Sequence, residues 1–372
     1  MRKFLLAKFL VANFPVAKFL FVLLVSVAVL GLIGYVFRGP IALRVVPWAA
    51  TAALQRNFVA DQPDGLHLVL VGAGGPRADP LRSGRCVAVL AGRSLFVVDA
   101  GAGAARGFGR LGMTPGLVQA LFLTHYHSDH IDGLGELMMQ RWTSASNARP
   151  LPVIGPIGVG EVVAGFNLAY RQDSLFRTAH HGSAVAPSSG AGGVARPFAQ
   201  PPPLQAVVVW DRDGVKVSAF RVDHAPVDPA VGYRFDYRGR SLVISGDTKM
   251  SANVQHFAQG VDLLVHEALS PRLVAVLGAA ARTAGREGIA KIMADIPGYH
   301  TTPVQAARIA SAASVRQLLL YHVVPPLVVP GLEAAFLEGV RDAYQGPVTV
   351  GRDGTVVSLP SGSKEIARRE LR

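Results

Sequence analysis

Between Leu123 and Ile131 the chain reads Thr-His-Tyr-His-Ser-Asp-His, which places His125, His127, Asp129 and His130 within six positions. Only 11 histidines occur in 372 residues, so this is not the ordinary content of a polar loop. Neutral imidazoles and carboxylates form the ligand set that suits zinc, manganese or iron. The apolar run Ala120–Leu123 reads as a strand that delivers His125 and His127 as the chain turns. Asp129 and His130 then point the other way, at the mouth of a helix running from Ile131 to about Trp142. Two ligand pairs diverging from one tight loop suggest two adjacent metal ions.

Four further sites with polar residues close apolar, β-like runs. His224 follows Val222-Asp223 and precedes Gly232-Tyr233-Arg234-Phe235. Asp247 lies in Ile244-Ser245-Gly246-Asp247-Thr248. His266 and Glu267 close the strand Leu263–Val265, and His322 closes Leu318–Tyr321. Each of these side chains would stand at a sheet edge, where a site can form. One such residue alone is usually structural, whereas four at equivalent positions point to a shared centre.

His125–His130 matches the H-x-H-x-D-H signature of the metallo-β-lactamase superfamily. Over about residues 66–325 the chain resembles the ribonuclease Z (tRNA 3′ endonuclease) branch and its arylsulfatase-like relatives. Besides the first motif, the resemblance rests on His224 with Gly-Tyr-Arg-Phe, on Ser-Gly-Asp-Thr, on His266-Glu267-Ala268, and on His300-Thr301-Thr302 leading into an Ala-rich helix. It implies an α/β, four-layer αβ/βα sandwich. One metal would be held by His125, His127 and His224, and the other by Asp129, His130 and His322, with Asp247 bridging. Two Zn²⁺ are expected, and the same ligands accept Mn²⁺ or Fe²⁺. A water between two such cations becomes a bridging hydroxide nucleophile near neutral pH. Asp129 would align it, and His266, oriented by Glu267, is the candidate acid for the leaving alkoxide. His300 would contact a phosphate oxygen or serve the start of its helix.

The elements that must position these residues are legible as short apolar runs with β character: Leu66–Val71, Cys86–Leu90, Leu95–Val98, Ala120–Leu123, Ala206–Trp210, Val215–Val222, Tyr233–Tyr237, Ser241–Ser245, Leu263–His266 and Gln317–Tyr321. Helix-like stretches alternate with them at 131–142, 158–171, 302–314 and 332–344. Thr302 before Pro303 reads as a cap followed by proline at the first helical position. Residues 173–203 read as a long flexible loop, a candidate substrate lid. His180 and His181 fall in it without an assigned role, whereas His67 and His256 read as structural.

Hydrophobic content reaches 50%, with the excess at the N-terminus. Residues 1–18 are basic and read as cytoplasmic. Residues 19–37 form an uncharged apolar run of about 28 Å as a helix, close to a bilayer core. Residues 38–64 read as a connector, 65–360 as the catalytic domain and 361–372 as a basic tail. Arg2, Lys3, Lys8 and Lys18 before the apolar run, with no acid among them, favour an N-terminus held inside. The reading is an inner-membrane, single-pass protein with an extracytoplasmic, periplasmic catalytic domain. A cleaved signal peptide is the alternative.

The net charge of +12 is concentrated at the ends, since residues 1–60 hold seven Lys or Arg and no acid. The central domain is close to neutral, which speaks only weakly for nucleic acid. Cys86 is the single cysteine, so an intramolecular disulfide and a thiolate-rich zinc site are both excluded.

The resemblance departs at one place. Ribonuclease Z enzymes carry a tRNA-gripping arm between the residues matching His224 and Asp247, and here these stand only 23 positions apart. That weighs against tRNA as partner, favours a small-molecule or nucleotide ester, and leaves a homodimer open. The leading expectation is a membrane-anchored phosphodiester hydrolase. Hydrolysis of sulfate esters or lactones is the second reading, and tRNA 3′ processing the third.

Overall fold

The computed structural model describes the backbone of residues 2–371 and the side chains of residues 16 and 18–371. It comprises two units, one ending at Arg56 and one beginning at Asn57. The first unit is helical: α1 (Arg2–Val36) breaks at Phe37, and α2 (Arg38–Gln55) follows with Pro47 inside it. Lys18–Val36 has a mean hydropathy of 2.7 and none of it is buried, so this helix is long and apolar enough to cross a membrane. The expected connector 38–64 is not one segment. Its last part, with helix α3 (Phe58–Asp61), packs Phe58 and Val59 into the core of the second unit.

The second unit holds two sheets. The first runs β15-β14-β1-β2-β3-β4-β5-β6. Its strands are β1 (Gly65–Gly72), β2 (Cys86–Ala91), β3 (Ser94–Val98), β4 (Val118–Phe122), β5 (Leu151–Pro156), β6 (Gly193–Phe198), β14 (Thr355–Pro360) and β15 (Ala367–Glu370). The second runs β13-β12-β11-β10-β9-β8-β7. It contains β7 (Ala206–Arg212), β8 (Val215–Arg221), β9 (Val231–Tyr237), β10 (Arg240–Ile244), β11 (Leu263–Leu269), β12 (Gln317–Val324) and β13 (Val348–Val350). In each sheet one half is antiparallel and the other parallel, β3 to β6 in the first and β10 to β13 in the second.

Alternation along the strands builds three cores. Leu68, Val89, Phe96, Phe122, Phe235, Val265 and Leu319 pack between the sheets. The opposite face of the first sheet packs on α4 (Ala104–Arg110), α6 (Leu134–Ser144) and α7 (Val159–Ala169). The opposite face of the second packs on α9 (Ala252–Phe257), α12 (Pro303–Ala312), α13 (Leu332–Phe336) and α14 (Val340–Ala343). The result is helix, sheet, sheet, helix, the four layers expected. Four helices complete the unit: α5 (Ser128–Ile131), α8 (Arg171–His181), α10 (Pro271–Thr283) and α11 (Glu287–Asp295). Thr302 forms a capping box with Gln305 at the start of α12, with Pro303 at its first turn.

All ten expected strands form, but two expectations fail. Residues 173–203 are not a flexible loop: they continue α8 (Arg171–His181) and contain β6, which pairs in parallel with β5. Glycine, serine and proline around a half-exposed edge strand hide its alternation. The stretch 332–344 is two short helices, α13 and α14. Within the basic tail, β15 pairs antiparallel with β14 and ends the first sheet.

Candidate metal centre

The site lies where the parallel strands of both sheets end, the side on which such sheets place their ligands. After β4 the chain bends through Thr124 into α5. His127 is the residue before α5, Asp129 stands in its first turn and His130 one step further. Three residues beyond β8, the chain turns at His224. Asp247 follows β10 through Gly246, whose φ of +68° and whose closeness to the Val231 carbonyl leave no room for a side chain. His322 sits inside β12 at a register shift against β11, with φ +47°. This bulge in left-handed backbone turns the imidazole out of the ladder toward the site, a strain typical of functional positions.

The donor atoms converge. His125, His127 and His224 form one trio within 4.8 Å, and Asp129, His130 and His322 form another. His125 Nε2 lies 3.0 Å from His127 Nδ1, and His322 Nε2 lies 3.2 Å from Asp129 Oδ2. Asp247 Oδ2 stands between the trios, 4.0 Å from His125 Nε2 and 3.4 Å from both His130 Nε2 and His322 Nε2. A tetrahedral ion with bonds of about 2.0–2.1 Å spaces its ligands about 3.3 Å apart. Several of these separations match that edge, and His224 Nε2 is buried without a protein partner. The donor set therefore fits divalent metal.

Groups behind the ligands fix their orientation. His224 Nδ1 donates to the Tyr299 carbonyl at 3.0 Å, which turns Nε2 inward. Thr124 Oγ1 lies 3.1 Å from His125 Nδ1, and Asp99 Oδ2 lies 2.9 Å from His130 Nδ1. Asp99 also accepts from the Thr124 N–H and hydroxyl, and its φ of +59° places it under the loop. Burial keeps His125, His127 and His224 below the usual imidazole range, hence neutral and ready to ligate. Burial opposes charge on His130 too, but Asp247 and Asp99 push it up to about 10. Burial raises the Asp247 carboxyl, yet Arg85 and His322 outweigh it and hold the group ionised.

Asp99 was not among the residues singled out from sequence. The signal that marked Asp247, an acid one step past an apolar strand, was present in Val97-Val98-Asp99. Arg85, fully buried beneath the centre and bonded to Asp247, carried no such signal.

His266 does not stand where its expected role would place it. The strand β11 extends to Leu269, so His266 and Glu267 lie within it and face opposite ways. Leu263 and Val265 join the core between the sheets, whereas Leu264 and Ala268 join the core on the helix side. His266 goes with the latter: it is fully buried, its Nδ1 bonds the Glu267 carbonyl at 2.8 Å, and Nε2 has no partner. Glu267 faces the site, where Oε1 accepts from His300 Nδ1 at 3.0 Å and from the Thr301 N–H at 2.9 Å. Burial opposes the charge on both groups, but each offsets it in the other, so His300 rises and Glu267 falls from its ordinary value. His300 also falls within 4.8 Å of Asp247 and His322 as a donor trio. The imidazole–carboxylate pair that faces the site is thus His300 with Glu267.

His67 bonds the Pro63 carbonyl at 2.9 Å, and exposed His256 packs edge-on against Phe257, both outside the site. His180 and His181 are exposed at the end of α8 and join no metal-competent group among the described residues.

Two sheets capped by helices and a His/Asp centre at their strand ends define a hydrolase of the metallo-β-lactamase fold. The family model described as the Beta-lactamase superfamily domain matches residues 95–323. The chain is 36% identical over 290 residues to the protein named Ribonuclease Z of Mycobacterium avium (strain 104), covering 77% of this chain and 96% of that one. It is 33% identical over 295 residues to Ribonuclease Z of Mycobacterium bovis (strain BCG / Pasteur 1173P2), with the same coverage. The fold is also similar to that of the metallo-beta-lactamase fold protein YhfI from Bacillus subtilis, with a TM-score of 0.57 and 18% identity over 80% of this chain and all of that one. Against human tRNase Z, short form, the TM-score is 0.54 with 20% identity, over 79% and 99% of the two chains. The chain belongs to the metallo-β-lactamase superfamily and is a ribonuclease Z-like hydrolase.

Proposed function

We propose that this chain is a membrane-anchored phosphodiesterase with a dinuclear zinc centre. The observation that carries the proposal is Asp247 Oδ2 lying between the two donor trios, within 3.4 Å of His130 and His322 on one side and 4.0 Å of His125 on the other. His125, His127 and His224 would hold one ion, Asp129, His130 and His322 the other, and Asp247 both. Such a pair acidifies a water between the ions and neutralises charge on a phosphoryl oxygen.

The chain's own groups do the rest. The Asp129 carboxylate is drawn down by His130 and His322 against the effect of burial, so it is ionised and can accept a hydrogen bond from the attacking water. His300 keeps its proton because Glu267 faces its Nδ1, and Nε2 remains to donate to the leaving alkoxide.

The ribonuclease Z relatives support phosphodiester chemistry. The substrate is proposed to be smaller than tRNA, because residues 231–244 between His224 and Asp247 are one tight hairpin, β9–β10, with no arm. The N-terminal helix is proposed as the anchor, with the domain outside the cytoplasm. A reporter active only in the periplasm, fused after Arg372, is expected to be active, and silence there would contradict the orientation.

The substrate reading is tested by presenting zinc-loaded enzyme with a chromogenic phosphodiester, a sulfate ester, a lactone and a precursor tRNA. Preference for the phosphodiester is expected. Turnover confined to the sulfate ester or the lactone would replace the reading, and efficient tRNA cleavage would show that the arm is dispensable.

A further inference from the structure

The two halves of the centre differ in one buried cation. Arg85 stands immediately before β2, and its side chain is wholly excluded from solvent. Its Nη1 bonds Asp247 and lies 3.2 Å from His130 Nε2, so one guanidinium nitrogen sits on two ligands of the carboxylate-rich half. The guanidinium stacks on the Tyr321 ring at 4.2 Å, and Asp99 lies 3.9 Å from Nε. Nε and Nη2 make no hydrogen bond. A buried cation this poorly paired is costly unless the carboxylates around it need its charge. Among the described residues, no Lys or Arg side chain is bonded to His125, His127 or His224.

We infer that Arg85 makes the two metal positions unequal: it supplies part of the positive charge of the carboxylate-rich half, so the imidazole trio fills first and the second ion binds weakly. The inference rests on the metal reading of the site proposed above. Its physical basis is that a fixed charge inside a low-dielectric site acts on an incoming divalent ion with little screening. By holding Asp247 and facing the His130 donor atom, Arg85 also competes for ligands the second ion requires.

The test is zinc binding by the full chain in detergent, followed by calorimetry against a competing chelator and by elemental analysis after dialysis. Wild type is expected to retain one zinc and to bind the second at least tenfold more weakly. Arg85→Met, which keeps bulk and removes charge, is expected to narrow that gap at least tenfold. Arg85→Lys, which keeps charge, should preserve it. Arg85→Gln serves in place of Arg85→Met if thermal melting shows the latter unfolded. Two equally tight ions in wild type, or a gap unchanged in the uncharged variants, would overturn the inference and leave the metal centre standing. A wild-type chain that binds no zinc would overturn both.

Discussion

The imidazole half of the centre and its carboxylate-rich half are built differently. His125, His127 and His224 are neutral rings, each of the outer two contacts set by a single group behind it: Thr124 for His125 and the Tyr299 carbonyl for His224. The other half gathers Asp129, His130, His322 and Asp247 over Asp99 and Arg85, a network of charges in which each member depends on its neighbours. The first half is a preformed soft site. The second is balanced by charge and is the one that should respond most to substitution and pH.

The largest effect is expected from Asp247→Ala, which removes the group shared by both halves and strands Arg85. Hydrolysis should fall by about 10³-fold or more, and zinc content should drop in the same preparation. A loss of zinc without loss of turnover would break the comparison. His300→Ala should lower kcat by about 10²–10⁴-fold, the range for a general acid, with zinc content unchanged. His266→Leu, by contrast, should leave kcat within about twofold, because that ring packs on the helix side of β11. Equal losses in the two variants would restore His266 to the chemistry.

The third prediction concerns pH. His300 has its pKa raised by Glu267, so its acid form persists above the usual imidazole range. Activity should therefore fall only as pH rises through that elevated value. Glu267→Gln removes the cause of the shift, and the alkaline limb of kcat should move to lower pH. A limb that stays in place would show that another group sets it. The smallest effect is expected from removing residues 1–56: kcat/KM on a soluble diester should change less than about twofold, while the protein moves from the membrane fraction to the soluble one.

Much of the site was readable because metal ligation uses few residue types and the ligands fall at strand ends. His125 through His130, His224 and Asp247 do so, whereas His322 lies inside β12 at its bulge. Strand length was what misled at His266 and Glu267: β11 runs four residues past Leu263–Val265, so both residues lie within the strand and its alternation, not its end, decides which one faces the site. His322 was found by type alone, since nothing in Leu-Tyr-His-Val announces a bulge. Arg85 was invisible because its role depends on a partner 162 positions away in the chain. In the fold, most central strands and the edge strand β7 were legible, whereas buried β5 and β14 and the edge strands β6, β13 and β15 were not. An edge strand alternates weakly when one side meets solvent, and Arg368 and Arg369 in β15 look like a tail until β14 is placed beside them.

The most direct test of the account is turnover of bis(p-nitrophenyl) phosphate by the zinc-loaded full chain, measured beside Asp247→Ala. The account predicts zinc-dependent release of p-nitrophenol that disappears in the variant. No release from protein shown to hold zinc, or equal release from both proteins, would contradict it.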